Sequence, residues 1–417
     1  MLTESQVIAN EIEKVDPKLT TLFDRDATFF STIEKRPVEV ISNRDMRLPL
    51  EIRPGGNFGH FDPDGGDLGL GDGPTFEKAL ISAAYVRLAI QWTKKSEWVT
   101  DDSRKAVLKT FSHLMAQSMK EFRRHNDSLC MTAGDGVLGV ISAVTVNTPA
   151  GFDTITLDTD GYGARLLRDG LTINVYSSAL TTNRTLGAEK KISFYDLASK
   201  IIRIPTGTTG IVAGDKIVVQ GVSATPPVSI LGVPYHHSGA STGTWLGLDR
   251  ATIPSIRGNR VNAAGALALP FPRLAFNKIG DRLGSENLKT GVTAWMHPCQ
   301  FQAYEELGQL VTVLNSADKV NDLYAGDNLK LAGVPIRTSY SWDKKRIDFI
   351  VNDAWGRAEV KPVGFYESDG KKIFEMRGQS GGVATSSIFY IVAAWNLFMR
   401  NPVAGAFIDG LTVPSGY

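Results

Sequence analysis

An alternation of apolar and polar residues occurs twice between residues 46 and 92, and it constrains the fold more than any other feature. The first run has its apolar residues at Met46, Leu48, Leu50 and Ile52. The second run has them at Val86, Leu88, Ile90 and Trp92. Such alternation is typical of strands with one apolar face. The 21 residues from Pro54 to Pro74, between the two runs, include 8 glycines and 3 prolines. The pattern predicts a long two-stranded arm with a flexible glycine-rich tip, Pro54–Pro74.

An arm of this kind is incomplete in water. An isolated two-stranded hairpin is marginally stable, and its open edges invite pairing with other chains. Unless the arm folds back on its own domain, we expect it to bury its apolar face against a neighbouring subunit. The residues predicted to make subunit contacts are Leu48, Leu50, Ile52, Phe58, Phe61, Val86, Leu88 and Ile90.

The composition excludes several classes of protein. Of 417 residues, 42% are hydrophobic and 21% charged, and the formal net charge of +1 shows no basic surplus for strong nucleic-acid recognition. No apolar run is long enough to span a membrane, and the N-terminus lacks the layout of a signal peptide. Two cysteines, Cys130 and Cys299, cannot form a disulfide framework. These features predict a soluble protein made in a reducing cytoplasm.

The rest of the chain is organised in blocks. Residues 1–35 predict two short helical pieces, and a helix of about 30 residues begins near Thr100 or Asp101. From Val137 to about Trp245, short alternating runs predict a small β barrel or sandwich. After about residue 267 the pattern is mixed α/β. In that last block we predict a buried strand at 292–296, a helix from Pro298, and a hairpin formed by 336–340 and 346–351.

The residues that might carry chemistry are few. His236, His237 and the pair His297 and Cys299 lack the spacing of closed zinc sites, so hydrogen-bonded or surface histidines are the better interpretation. The aspartates of the tip depart from the calcium-loop pattern. We therefore expect no catalytic residue, no metal and no cofactor. A basic cluster at Lys120, Arg123 and Arg124 is either a solvated helix end or a non-specific contact with the phosphates of packaged nucleic acid.

The order of these blocks resembles the major capsid protein of tailed bacteriophages, which has the Hong Kong 97-like fold. The run Thr293-Ala294-Trp295-Met296-His297-Pro298 is similar to the family's strand and helix at the start of its axial domain, and Gly333-Val334-Pro335-Ile336 is similar to a later segment of that domain. The resemblance implies an α+β fold with an all-β insertion. The implied divisions are an N-terminal arm (1–43), an extended loop (44–93), a peripheral domain with a spine helix (94–136), a β-rich insertion (137–250), an axial domain with return strands (251–400) and a C-terminal segment (401–417).

The resemblance also implies a function and partners. The chain would self-assemble as hexamers and pentamers into the icosahedral head shell around double-stranded DNA, within the virion, after assembly in the host bacterial cytoplasm. Its partners would be a portal, a separate scaffold, because only about 43 residues precede the arm, and a decoration protein. No membrane is involved. Unlike the family's type member, which cross-links its subunits through an arm lysine, the tip Pro54–Pro74 contains no lysine.

Three other functions stay open from the sequence alone. An encapsulin-like nanocompartment shell shares the fold but is typically shorter and has no large insertion. A metal-dependent hydrolase would use His236, His237 or His297. An extracellular adhesin would suit the threonine-rich insertion, although the missing export signal argues against it.

Overall fold

The structure is a computed structural model of the chain. It describes residues 28–34, 38–40, 45–60, 64, 69–93, 110–158, 165–185, 188–207, 210–221, 227–284, 291–315, 330–368, 370–377 and 383–414. The chain divides into two compact units, and the first comprises Met1–Ala27, Tyr85–His125 and Lys361–Ala393. The second comprises Thr28–Ala84, Asn126–Val360 and Ala394–Tyr417.

The described residues form an α+β fold with few helices and many strands. The helices are α1 (Thr28–Glu34), α2 (Thr110–Cys130), α3 (Val233–His236), α4 (Pro270–Leu283) and α5 (Pro298–Asn315). The strands of the arm region are β1 (Val38–Val40), β2 (Asp45–Arg53), β3 (Thr75–Ser82) and β4 (Ala84–Thr93). No helix in the described part of the chain is long and apolar enough to cross a membrane. The first helix expected within residues 1–35, and the expected start of the long helix near residue 100, lie outside the described residues.

The arm is a hairpin, but its return strand differs from the prediction. β2 pairs antiparallel with β3, with Met46 opposite Ile81 and Leu48 opposite Ala79. The predicted return strand, Val86–Trp92, lies in β4, which instead pairs with a strand of the first unit's sheet. The observed pairing leaves only Pro54–Pro74 between the strands, and a shorter loop costs less entropy to close. The predicted tip is therefore the loop between β2 and β3. We call residues 45–82, which comprise the two strands and this loop, the hairpin.

The β-rich block forms a closed barrel. Its strands are β5 (Val137–Thr145), β6 (Phe152–Leu157), β7 (Thr172–Tyr176), β8 (Lys190–Lys191), β9 (Phe194–Asp196), β10 (Ile201–Pro205) and β11 (Lys216–Val219). In sheet order they run β8-β7-β11-β5-β6-β10-β9. The two end strands, β8 and β9, are nearly continuous in the chain. Ile192 between them exchanges backbone hydrogen bonds with the β7 side, and Ser193 donates to Arg203 of β10. One bent segment thus joins both ends of the sheet and removes its open edges.

The barrel encloses an aliphatic core. Strand β6 alternates half-buried and buried residues, as expected of a strand that lines a barrel interior. The fully buried aliphatic side chains of the barrel include Ile141, Ile155, Leu157, Ile173, Val175, Ile192, Ile202, Ile204 and Ile217. The short alternating runs that predict strands in this block are 155–157, 171–175, 201–204 and 216–219. They lie in β6, β7, β10 and β11 respectively, apart from residue 171, which directly precedes β7.

The last block of the second unit contains short strands and a mixed sheet. The strands are β12 (Thr244–Trp245), β13 (Leu248–Asp249), β14 (Asn259–Gly265), β15 (Val292–Met296), β16 (Lys330–Leu331), β17 (Val334–Thr338), β18 (Ile347–Val351) and β22 (Ala406–Leu411). The sheet order is β14-β22-β18-β15-β17-β16. Helix α4 packs Ala275, Phe276 and Ile279 on this sheet against a core that includes Phe349 and Ile408. The predicted C-terminal segment, which begins at residue 401, supplies β22, and β22 lies between β14 and β18 in this sheet.

One predicted pairing in this sheet is wrong. Residues 336–340 and 346–351 were expected to form a hairpin, but β17 and β18 lie on opposite sides of β15. β17 is parallel to β15, with Ala294 opposite Ile336, whereas β18 is antiparallel, with Ala294 opposite Phe349. All five residues of β15 are buried. The central strand therefore gains two partners, and more apolar burial than a local hairpin would give it.

The first unit contains part of a further sheet. β20 (Ile373–Arg377) pairs antiparallel with β21 (Val383–Met399), and β4 also pairs with β21. Trp92 and Phe365 each contact the ring of Phe389, with centroids 5.6 and 5.8 Å apart. In the second unit, β1 pairs in parallel with β19 (Trp355–Phe365), with Val38 opposite Arg357.

Candidate assembly surface

The tip of the hairpin carries the two most exposed of the large apolar side chains in the described part of the chain. Phe58 is 99% exposed and Leu70 is 92% exposed. Phe76, at the base of the tip on β3, is also exposed. Large apolar side chains on a glycine-rich loop cost solvation free energy until a partner covers them. Phe61, the other predicted contact in the tip, lies outside the described residues.

The neck of the tip is held by a short set of polar bonds. Gly56 donates its N–H to the carbonyl of Asp72 at 2.8 Å, and the exposed Arg53 and Asp72 side chains are 3.9 Å apart. Gly55 has a φ of +73°, and a Cβ there would lie 2.6 Å from the carbonyl carbon of Gly73. Only glycine suits this position. At the neck, glycine is therefore a steric requirement at position 55.

The root of the hairpin packs on its own subunit. Leu48, Ala79 and Ile81 are buried in a cluster with Trp245, Leu246, Leu248, Ile256, Ala358 and Phe398. Leu80 also donates its N–H to the carbonyl of Leu246 at 2.9 Å. The expectation that Leu48 contacts a neighbour is therefore wrong, because its own core covers it. Leu50 packs partly against the same cluster, while Ile52 is half-buried.

The second predicted run of contacts belongs to a different element. Val86, Leu88 and Ile90 are half-buried in β4, and they alternate with exposed residues, as the sequence pattern predicts. Their strand pairs with β21 in the first unit. They thus belong to the sheet of the first unit and not to the hairpin. Their position therefore gives no reason to expect a contact with the neighbouring subunit that the hairpin would touch.

The basic cluster on α2 is divided by burial. Lys120 and Arg123 are exposed, but Arg124 is only 2% exposed, and its guanidinium lies 3.6 Å from the carboxylate of Glu121. Burial therefore excludes Arg124 from both interpretations of the cluster, the solvated helix end and the contact with phosphates. From the sequence, a charged side chain at a helix end is predicted to be solvated, because burial by tertiary packing leaves no local signal.

The paired histidines are buried structural residues. His236 Nδ1 accepts the indole N–H of Trp245 at 3.1 Å, and its Nε2 lies 3.1 Å from the carbonyl oxygen of Leu397. Both ring nitrogens are thus occupied, which leaves no lone pair for a metal. Burial lowers the pKa of His236 to about 3. Among the described residues, no group of three or more His, Cys, Asp or Glu side chains is arranged to hold a metal ion.

His237 belongs to a buried ion network around Asp348. Its Nδ1 lies 2.9 Å from Asp348 Oδ1. Arg346 donates two N–H groups to the same carboxylate, and the indole of Trp342 donates to its second oxygen at 3.1 Å. Burial nevertheless lowers the pKa of His237, so the imidazole is neutral. The pKa of Asp348 is also lowered: burial opposes its charge, but the Arg346 guanidinium and the bonds to the carboxylate outweigh that effect.

His297 caps the N-terminus of α5. Its Nδ1 accepts the backbone N–H of Cys299 at 3.1 Å, and its ring packs edge-on against Tyr340. Burial, followed by the positive charges of Arg165 and Lys344, lowers its pKa to about 3. The predicted pair His297 and Cys299 is therefore a helix cap and a buried thiol.

We expect the subunit to lose stability in mild acid. His236 and His297 are neutral in the folded chain and gain a proton in the unfolded chain below its ordinary pKa of about 6.5. Their contribution is complete above that pH and is lost as the pH falls toward 3. Together they cost about 3 kcal/mol in the free energy of unfolding between pH 6.5 and pH 5. Denaturant titrations at several pH values measure this slope.

A matched pair of variants tests the assignment of this acid sensitivity. His236→Gln should flatten the pH dependence in part, since it removes one of the buried histidines whose pKa is lowered by burial and leaves His237 and His297 in place. His60→Gln, at the exposed tip, should leave the slope unchanged. An unaltered slope in His236→Gln would contradict the assignment.

An aromatic socket holds helix α1, and its members lie far apart in the chain. Phe29 of α1 contacts the rings of Trp295, Trp342 and Trp355, with centroids 5.2, 5.3 and 6.4 Å away. The next residue, Phe30, packs on Trp395 at 5.3 Å, and its N–H donates to Asp127 at 2.8 Å. A helix of seven residues is unstable alone. Its order therefore depends on this socket.

No protein-family model matches the sequence, and none of the curated proteins matches it. Solved structures do. A chain of the cyanophage A-1(L) capsid asymmetric unit is 12% identical, with a TM-score of 0.62 over 99% of this chain and all of that chain. A chain of Mycobacterium phage Bobi is 8% identical, with a TM-score of 0.49 over 98% of each chain. A chain of the SrpI encapsulin complex of Synechococcus elongatus is also 8% identical, with a TM-score of 0.45 over 97% and 95%.

The cyanophage likeness carries the conclusion about architecture. It extends over nearly the whole of both chains. At 12% identity this likeness speaks for the fold alone. The chain has the Hong Kong 97-like fold, with an all-β domain inserted in it.

Proposed function

We propose that this chain is a major capsid protein that self-assembles, as hexamers and pentamers, into an icosahedral head shell around double-stranded DNA. The observation that carries the proposal is the exposed apolar tip on a hairpin whose root is anchored in its own core. Phe58 and Leu70 are almost fully exposed, whereas Ile81 is fully buried. A hairpin that is anchored in its own subunit and has an exposed apolar tip suits contact with another copy of this chain. The fold shared with a cyanophage capsid chain supports this choice of partner.

The proposed activity is assembly without catalytic turnover. The histidines that a hydrolase would use are engaged in hydrogen bonds within the core, as described above. Many modest contacts, each worth about 25 cal/mol per Å² of buried apolar surface, sum over a closed shell. Such a shell would contact the enclosed DNA non-specifically. In the predicted basic cluster, the exposed cations that would make this contact are Lys120 and Arg123.

The proposed partners and location follow from the same role. A portal, a separate scaffold and a decoration protein are the components with which a shell of this kind would assemble. The shell would form in the cytoplasm of the host bacterium and persist in the virion. Neither a membrane nor a cofactor has a part in this proposal.

Electron microscopy of the expressed chain tests the proposal. Concentrated protein should give shells, capsomers or sheets, and size-exclusion chromatography should show species far larger than 45.3 kDa. A strictly monomeric protein at high concentration would argue against any shell. Closed shells that enclose an enzyme, and that contain neither a portal nor DNA, would instead favour an encapsulin-like nanocompartment.

We expect the shells to contain no covalent cross-links. The tip has no lysine, and the nearest one downstream, Lys78, lies within β3 and pairs opposite Pro49. An isopeptide bond from the tip therefore has no amine to form it. Assembled particles boiled in denaturant should run as a single monomer band on a gel. A ladder of higher bands would refute this expectation.

A further inference from the structure

The neck of the tip contains an Asp-Gly pair in which the side chain and the backbone face each other. Gly73 donates its backbone N–H to Oδ1 of Asp72, the residue before it, at 3.0 Å. The carboxyl carbon is one covalent bond from that oxygen, so this conformation turns the carboxyl group toward the Gly73 nitrogen. Both residues are exposed, and a Cβ at Gly73 would meet no atom of the described residues within 4 Å. The nitrogen is therefore open to water and to base.

Three other Asp-Gly pairs lie wholly within the described residues, and two of them are engaged by backbone hydrogen bonds. At 135–136 the aspartate carboxylate accepts the N–H of Val137 at 3.2 Å, one residue beyond the glycine. At 169–170 the glycine donates its N–H to the carbonyl of Ile192 at 2.9 Å. In the first pair the carboxylate is thus bonded to a different nitrogen, and in the second the glycine nitrogen is already occupied.

The remaining pair, 409–410, is held by an arginine. Both carboxylate oxygens of Asp409 accept the Nε–H of Arg260, at 3.0 and 2.8 Å. The ion pair at Asp72 is weak by comparison, because Arg53 is 3.9 Å away and both side chains are 71% exposed. Among these four pairs, the one at the neck therefore combines an unhindered glycine nitrogen with a carboxyl group directed at it.

We propose that Asp72 is a modification site, at which the free subunit isomerises spontaneously to isoaspartate. The Gly73 nitrogen attacks Cγ of the protonated carboxyl group and forms a C–N bond. The hydroxyl leaves with the amide hydrogen as water, and a succinimide ring remains. Water then adds to the ring: attack at Cγ restores aspartate, whereas attack at the main-chain carbonyl carbon gives isoaspartate. Water is the only co-reactant, and nothing is oxidised or reduced.

The isomer alters the neck of the tip. In isoaspartate the main chain continues through Cβ and Cγ, and the former main-chain carbonyl of Asp72 becomes a free carboxylate. That carbonyl is the acceptor of the Gly56 N–H at 2.8 Å. The hydrogen bond therefore no longer ties together the two ends of the loop. A loss of assembly on ageing is the expected consequence, and it rests on the proposed function, whereas the isomerisation itself does not.

Ageing of the purified full-length subunit at neutral pH tests the proposal. Samples taken over time are denatured, digested with endoproteinase Asp-N and measured by mass spectrometry. Because this protease cleaves before aspartate but not before isoaspartate, cleavage at Asp72 should decline, whereas cleavage at Asp135 and Asp409 should persist. A protein isoaspartate methyltransferase with a labelled methyl donor should mark the peptide that contains Asp72. Cleavage at Asp72 that persists as long as cleavage at Asp409 would overturn the proposal.

Three variants separate this chemistry from general damage. Gly73→Ala should slow the loss of cleavage several-fold, because a methyl group hinders the nitrogen and the open space around it admits a Cβ without strain. Asp72→Glu should prevent isomerisation at this position, because the longer side chain would have to close a larger ring. Gly71→Ala, which is equally open, should age like the wild type. Equal rates in Gly73→Ala and the wild type would contradict the proposed attack. The peptide readout requires no shells, so it is independent of the proposed function.

Discussion

Deletion of residues 55–73 is expected to abolish shell formation while the subunit stays folded. The deletion removes Phe58 and Leu70, the bare apolar surface of the tip. It leaves the root, where Leu48, Ala79 and Ile81 pack into the subunit's own core. Negative-stain images should therefore show no shells, whereas circular dichroism and the Tm of the subunit should match those of the intact chain.

Two substitutions sharpen this deletion. Phe58→Ser combined with Leu70→Ser should reproduce the loss of shells, because it removes the apolar surface and keeps the loop length. Asp64→Ser, an exposed polar position in the same tip, should assemble normally. Normal particles from the deletion would remove the hairpin tip from the proposed assembly surface.

Phe29→Ala is expected to have the largest effect on subunit stability, a loss of about 3–5 kcal/mol in the free energy of unfolding. Phe29 is buried among three tryptophans in the second unit. Its removal leaves a cavity and takes away three edge-on ring contacts. Urea titration followed by tryptophan fluorescence measures the loss of stability, since the indoles of Trp295 and Trp342 lie in the socket and report on it directly.

The matched control is the same substitution at the tip. Phe58→Ala should leave the urea midpoint unchanged, because that ring is almost fully exposed. The two Phe→Ala variants thus separate stability from assembly: the first should lower subunit stability, and the second should impair shell formation alone. Equal urea midpoints for Phe29→Ala and the wild type would contradict the structural role of the socket.

The sequence predicted features whose cause is local. The limits of the tip, Pro54 and Pro74, coincide with the gap between β2 and β3, because glycine and proline composition ends where strand alternation begins. The strands of the barrel and the buried strand 292–296 were also found from their own residues. Each of these features rests on side-chain chemistry within one short segment.

The errors concern partners that are distant in the chain. Residues 75–82 and 84–93 are adjacent strands, so alternation alone does not tell which of them pairs with β2. Strand β15 separates β17 from β18, and its place depends on burial across the whole sheet. Phe29 meets Trp295 across more than half of the chain, and the burial of Arg124 likewise has no local cause. Local patterns carry no information about such contacts.

The closed barrel has a consequence for engineering and for evolution. The chain enters it after Ala133 and leaves before Leu231, and these two residues form an antiparallel bridge. Gly232 lies so close to the carbonyls of Cys130 and Thr132 that it admits no side chain. The points at which the chain enters and leaves the barrel thus lie side by side, and the backbone bridge between Ala133 and Leu231 holds them together. Such a module is exchangeable: a short loop, or a foreign domain with adjacent termini, fits the same two attachment points without rerouting the rest of the polypeptide.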